Sequence, residues 1–216
     1  MSAASAPPPL PGERPARKKR RWIWIIPGII VIGILGIVAI GLFFEMTATD
    51  LDVTDADRAA VLDIAELTEW MEGFAPQSSQ EVWSKKRYID GSIELDYEYD
   101  EPENENAPYL SCTVNFDSKP SEAKITYLAS WNSMKLGLGL NDARVEERND
   151  LFSWGETSKF GLLMSEGDPF GNALAAYKGS KSVLIVFSGV YFDDAEALNE
   201  LLEPTLMSLE AYEPEE

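Results

Sequence analysis

Four carboxylates recur at alternate positions, Glu94, Asp96, Glu98 and Asp100, with Ile93, Leu95, Tyr97 and Tyr99 between them. Glu101, Glu103 and Glu105 prolong the acidic run. Period-two alternation predicts a strand with one face buried and one in water, whose same-face side chains stand about 6.5–7 Å apart. Oxygen-rich clusters suit hard cations such as Ca2+. Carboxylates about 5–9 Å apart can also act as acid and base on a glycosidic bond. Both chemistries need acids converging from several strands. The plain expectation is a solvated sheet face, with Glu94, Asp96, Glu98 and Asp100 as candidate binding residues. No metal, no cofactor and no catalytic residue is assigned.

The residue inventory excludes more than it suggests. The 216 residues include no histidine and a single cysteine, Cys112. There is no imidazole base and no histidine ligand, and neither an intrachain disulfide nor a cysteine zinc site can form. Ser188-Gly189 lacks the nucleophile-elbow pattern, and neighbouring Ser84-Lys85 would point apart on a strand. The segment 167–172, GDPFGN, reads as a turn rather than a phosphate loop. Asp50, Asp52, Asp55 and Asp57 fail as a calcium loop, because Asp55 and Val61 stand where glycine and glutamate are required. Trp70 and Trp131 fit apolar helical stripes and are expected in the core, whereas Trp83 and Trp154 lie near turns.

Charge is segregated along the chain. Residues 1–44 hold six basic residues and one acidic, and the remainder holds twelve basic and thirty-six acidic. The two parts therefore carry about +5 and −24. Between the basic cluster Arg17, Lys18, Lys19, Arg20, Arg21 and the acidic part lies 22–44, WIWIIPGIIVIGILGIVAIGLFF, with no charge at all. As a helix it would rise about 34 Å, enough for a hydrocarbon core of about 30 Å. It is longer than a signal-peptide apolar region, and Thr47-Ala48-Thr49 is a poor cleavage site. A signal-anchor helix is expected. Basic flanks stay cytoplasmic, so Arg17–Arg21 orient the N-terminus inward and the acidic domain outward. The expected location is an inner or plasma membrane, crossed once. The expected partners are the bilayer through 22–44 and an envelope protein, with no nucleic acid.

The expected organisation is a disordered basic tail at 1–21, the span at 22–44, a linker at 45–53, an acidic α+β domain at 54–212 and a frayed tail at 213–216. Thr54 and Asp57 have capping-box spacing, and Ala60, Val61, Ile64, Ala65, Leu67 and Met71 extend one helix toward Gly73. Strands are expected at 93–99 and 109–116, paired antiparallel, with Cys112 an inert buried thiol. A helix over 120–138 is capped by Ser118 or Ser121 and packs Ala123, Tyr127, Leu128, Trp131, Met134 and Leu138. Short strands follow around Val145 and over 152–154, 160–164, 173–177 and 183–187. Lys178-Gly179-Ser180-Lys181 is the clearest hairpin, and VLIVF a central strand buried on both faces. Asp193 caps a last helix with Leu198, Leu201, Leu202, Leu206 and Leu209 on its stripe, kinked or divided at Pro204. The fold class is α+β, an antiparallel sheet flanked by about three helices. The function expected is a non-catalytic binding module or accessory subunit of an envelope complex. The alternative is a carboxylate-dependent, Ca2+-assisted hydrolase of envelope glycans.

Overall fold

The computed structural model describes residues 47–214 other than 72, 105, 106 and 141. The basic cluster and the 22–44 stretch lie outside the described residues. Among those that are described, no helix is long and apolar enough to cross a membrane.

The domain is α+β, built on one open antiparallel sheet of eight strands. They are β1 (Thr49–Asp50), β2 (Glu81–Arg87), β3 (Ile93–Tyr99), β4 (Tyr109–Phe116), β5 (Ala143–Glu147), β6 (Thr157–Ser165), β7 (Asp168–Lys178) and β8 (Lys181–Ser188). Their order is β1-β2-β3-β4-β8-β7-β6-β5. Two meanders thus meet at the β4–β8 seam, joined by a long helix, α3 (Pro120–Gly139). β8 is central, as VLIVF predicts. Val183, Ile185 and Phe187 are buried on one face, while Leu184 and Val186 pack against the cluster under α3 on the other.

One face of the sheet is covered by α1 (Asp55–Ala59), α2 (Ile64–Thr68) and α4 (Ala195–Ala211). Leu198, Leu201, Leu202, Leu206 and Leu209 of α4 are all buried there with Ile93, Leu95, Tyr97 and Tyr99 of β3. Among the described residues, the other face carries α3 alone. Its Tyr127 and Trp131 close over Leu163, Ala173 and Ala175, which belong to β6 and β7.

The first helix is two one-turn helices rather than one. The Thr54–Asp57 capping box forms as expected, but Asp63 builds a second box with Glu66 and starts a new helix. Asp63 accepts from the Ala65 and Glu66 amides, and this local bonding competes with helix continuation. Gly73, at φ +78°, stands just beyond, a left-handed position that glycine adopts freely.

β2 has no counterpart in the sequence expectations. Its inward residues are Trp83, Lys85 and Arg87, which show no apolar alternation. Lys85 is nevertheless buried, held 2.9 Å from Asp57 Oδ1. Tyr212 donates to the same carboxylate, and Thr54 donates its amide and hydroxyl to Oδ2, each at 2.7 Å. Burial alone would push the Asp57 carboxyl up; the hydrogen bonds from Tyr212, Thr54 and Lys85 hold it below the usual range. This buried triad ties α1, β2 and the C-terminal end together.

Several other expectations shift. Lys119, not Ser118 or Ser121, is the N-cap of α3, without a side-chain bond, and Pro120 follows at the first turn, where its missing N–H does least harm. Gly137 and Gly139 lie within that helix rather than ending it. Leu128 is exposed, not packed. Residues 152–154 are irregular. The turn expected over 167–172 is confined to Glu166-Gly167, and residues from Asp168 onward continue as β7 past a register shift at Leu163/Met164. Gly171 is required at that strand: a Cβ there would stand 2.1 Å from the Phe187 carbonyl oxygen. Asp194, one residue after the expected cap, accepts from the Glu196 and Ala197 amides. α4 runs unbroken through Pro204, because buried leucines on both sides of the proline anchor it. Lys181 donates to the Leu209 and Glu210 carbonyls, filling orphan acceptors at its C-terminus.

Candidate functional site

Helix α3 covers only half of its sheet face. It packs on β5, β7 and β8 and touches β4, and among the described residues no helix covers the outward side of β2 and β3. The side chains there follow from pleat and register. Glu94, Asp96 and Glu98 lie opposite the inward set Ile93, Leu95, Tyr97 and Tyr99. Across the ladders, Asp96 pairs with Ser84 and Thr113, Glu94 with Lys86 and Asn115, and Glu98 with Val82 and Ser111. The structure therefore brings three of the four predicted acids onto one polar surface, among hydroxyl, amide and ammonium groups. Asp100 lies beyond the last paired residue of β3 and is exposed.

The acids are not equivalent. Glu98 is exposed, while Glu94 and Asp96 are half-buried. Burial, reinforced by the charge of Asp96, pushes the Glu94 carboxyl from 4.5 up to about 7. Tyr88 donates to Glu94 Oε1 at 2.8 Å, and the Lys86 charge acts in the same, lowering direction. A hydrogen bond with Asp96 adds to the upward shift of Glu94. Among the described residues, no three His, Cys, Asp or Glu side chains come together to hold a metal ion.

Glu101, which the sequence places in the same acidic run, does something different. It is buried, accepts from Tyr99 and Asn104, and organises the β3–β4 connection. Its carboxyl is held low by the Tyr99 and Asn104 hydrogen bonds. Burial pushes the Cys112 thiol up to about 12, as fits an inert structural cysteine.

A concavity lies on the opposite layer, between α2 and α4. A cleft of about 460 Å3 is lined by Glu66, Glu69, Trp70, Glu200, Leu201 and Pro204. Trp70 is not a core residue: it is 37% exposed and meets the ring of Phe192 edge-on at 5.2 Å. Desolvation raises the Glu66 carboxyl, partly opposed by the hydroxyl of Thr205 at 3.1 Å. Trp131 is fully buried as expected, and Trp83 is half-buried with its ring 4.4 Å from that of Tyr97 and under the Arg58 guanidinium.

Sequence reasoning missed Tyr88, Lys86 and Ser84 at the polar face and Glu66, Glu69 and Glu200 at the cleft. The first three depend on β2 pairing, which no alternation announces. The cleft acids come from helices 130 residues apart and share no motif. Comparison of the chain with protein-family models, with curated proteins and with solved structures gave no match.

Proposed function

We propose that the protein is a single-pass, membrane-anchored binding module. It holds its acidic domain outside the cytoplasm, in an inner or plasma membrane, and serves as a non-catalytic accessory subunit of an envelope complex. The outward side of β2 and β3 is the surface that takes the partner. One observation carries this reading: among the described residues no helix covers the outward side of β2 and β3, yet Glu94 and Asp96 there are half-buried rather than freely solvated. Surfaces of this kind recognise by hydrogen bonds and charge more than by apolar area. With Glu94, Asp96 and Glu98 at its centre, the patch fits a partner presenting Lys, Arg or hydrogen-bond donors. The uncharged 22–44 stretch and the Arg17–Arg21 cluster support the anchor and its orientation.

The test is co-purification of the full chain in mild detergent, with and without the double change Glu94→Gln, Asp96→Asn. A partner lost from the variant, with thermal unfolding intact, supports the reading. A partner retained undiminished would move the binding surface elsewhere. A reporter fused after Glu216 should read as extracytoplasmic; a cytoplasmic readout overturns the orientation.

A second reading has one observation in its favour. A carboxyl at about 7 beside an acidic neighbour is the pairing that general acid catalysis on glycans uses. Against it, neither Glu94 nor Asp96 lines the α2–α4 cleft; both stand on the outward side of β3. Turnover of a cell-wall glycan abolished by Glu94→Gln would establish the hydrolase instead.

A further inference from the structure

Helix α3 is apolar on two opposite sides. Ala123, Tyr127 and Trp131 are buried toward the sheet, with Met134 and Leu138 half-buried beside them. On the outer side Ile125 is 66% exposed, Leu128 39%, Leu136 69% and Leu140, the C-cap residue, 80%. These four fall on one helical stripe. Together they expose on the order of 400 Å2 of aliphatic surface, a patch of the size that marks interaction sites on soluble domains.

We propose that this stripe is an isologous dimer interface, in which α3 of one copy packs antiparallel on α3 of a second copy across a two-fold axis at Asn132. The stripe is its own complement. Leu128 and Leu136 stand symmetrically about Asn132, and Ile125 and Leu140 do so to within one residue. An antiparallel copy sets Leu128 against Leu136, Ile125 against Leu140, and Asn132 against Asn132, where each amide can both donate and accept. A two-fold interface demands such reciprocity, since each residue must meet its counterpart in both directions. A bilayer demands none. A membrane-lying helix would also need a basic rim. The helix has three lysines on or beside it: Lys135 is engaged by Glu147 at 2.7 Å, Lys119 pairs with Glu122 at 3.4 Å, and exposed Lys124 stands on one flank only, while the acidic domain as a whole opposes an anionic surface.

The area agrees with a modest dimer. Two stripes bury about 800 Å2, and the flanking Ser121, Ala129, Asn132 and Ser133 raise the total to about 1,000 Å2, the lower bound for a specific association. Repulsion between two strongly acidic domains works against the contact and is screened by salt. Dimerisation therefore strengthens as ionic strength rises.

The test uses the full chain in detergent micelles and in lipid vesicles. Asn132→Cys, oxidised, is expected to form a disulfide-linked dimer at least tenfold faster than Thr157→Cys, an exposed position on β6. Ile125→Cys alone should stay monomeric, since its two copies stand roughly 20 Å apart along the axis. Mixed with Leu140→Cys chains, it should cross-link. Sedimentation should show a dimer of the unaltered chain that Leu136→Glu converts to monomer, with the two melting curves coinciding once the unaltered chain is diluted to monomer. A monomeric unaltered chain, together with Asn132→Cys cross-linking no faster than Thr157→Cys, overturns the proposal. So does self-cross-linking of Ile125→Cys, which would require a different register. A Leu136→Cys fluorophore buried by vesicles in a monomeric chain would give the stripe to lipid instead. These readouts are independent of Glu94 and Asp96, so the partner-binding reading can fail while this one stands.

Discussion

Replacing Glu94 by Gln should stabilise the domain at and above neutral pH, by a margin that shrinks as the pH falls toward 4.5. Glu94 has an ordinary value of 4.5 and stands at about 7 in the folded chain. A folded value above the unfolded one means that the native state binds the proton more tightly. The charged carboxylate therefore destabilises the fold above about pH 7, and the penalty disappears as the pH falls toward 4.5. Taken whole, the shift corresponds to about 3 kcal/mol; at a half-buried surface site, water screening cuts this to about 1–2 kcal/mol. Glutamine is neutral at every pH, and its amide oxygen can still accept from Tyr88. At pH 8 the variant is expected to melt about 3–6 °C higher than the unaltered chain. At pH 5 most of this gain should be gone. Asp96→Asn removes the neighbouring charge and should recover part of the same gain, and the double variant should gain less than the sum of the single changes. The assay is thermal unfolding by circular dichroism of the full chain in detergent, from pH 5 to 8.5. Equal stability at pH 8, or an equal gain at both ends of the range, would refute the desolvation account of Glu94.

The buried triad gives the opposite sign. Asp57→Ala leaves Lys85 unpaired in the core and should cost about 3–5 kcal/mol in urea unfolding, whereas Asp57→Ala with Lys85→Met should cost less than the single change. Because the Asp57 carboxyl is held low in the folded state, its contribution is complete above the unfolded value near 3.9 and fades as the pH falls through the folded one, which acid titration of the unaltered chain should show. Asn172 holds the 189–194 connection by donating to the Phe192 carbonyl at 3.0 Å and accepting from its amide at 2.7 Å; Asn172→Ala should cost about 1–3 kcal/mol and speed amide exchange at Phe192. Gly171→Ala must force β7 from β8 and should lower the melting point by several degrees, about 2 kcal/mol or more. Cys112 should resist maleimide in the native chain and react after denaturation.

The domain obeys its sequence wherever burial follows a simple period. Ile93 to Tyr99 alternate, and β3 forms over that range. VLIVF is apolar throughout, and β8 becomes the strand between two others. The leucines of α4 recur at helical spacing, and that stripe is buried. In each case one local pattern and one apolar face give the same answer. Charge segregation is likewise a property of the sequence alone, since it needs no fold to exist.

Tertiary structure decided what depends on distant partners. β2 escapes the pattern because its inward Lys85 is neutralised by Asp57 and Tyr212, contributed from opposite ends of the domain. Trp70 and Leu128 sit on apolar stripes that could have been core. Leu128 is exposed because α3 is apolar on two sides and has one sheet face to meet, and Trp70 because its helix has already ended at Thr68. The acidic run divides in the same way. Glu94, Asp96 and Glu98 share the face that α3 leaves open, while Glu101 turns inward to Tyr99. Alternation set which side of β3 each acid occupies. Which acids are desolvated was settled by where a helix ends and by the strand beside them, because desolvation depends on what covers a carboxylate and not on its place in the chain.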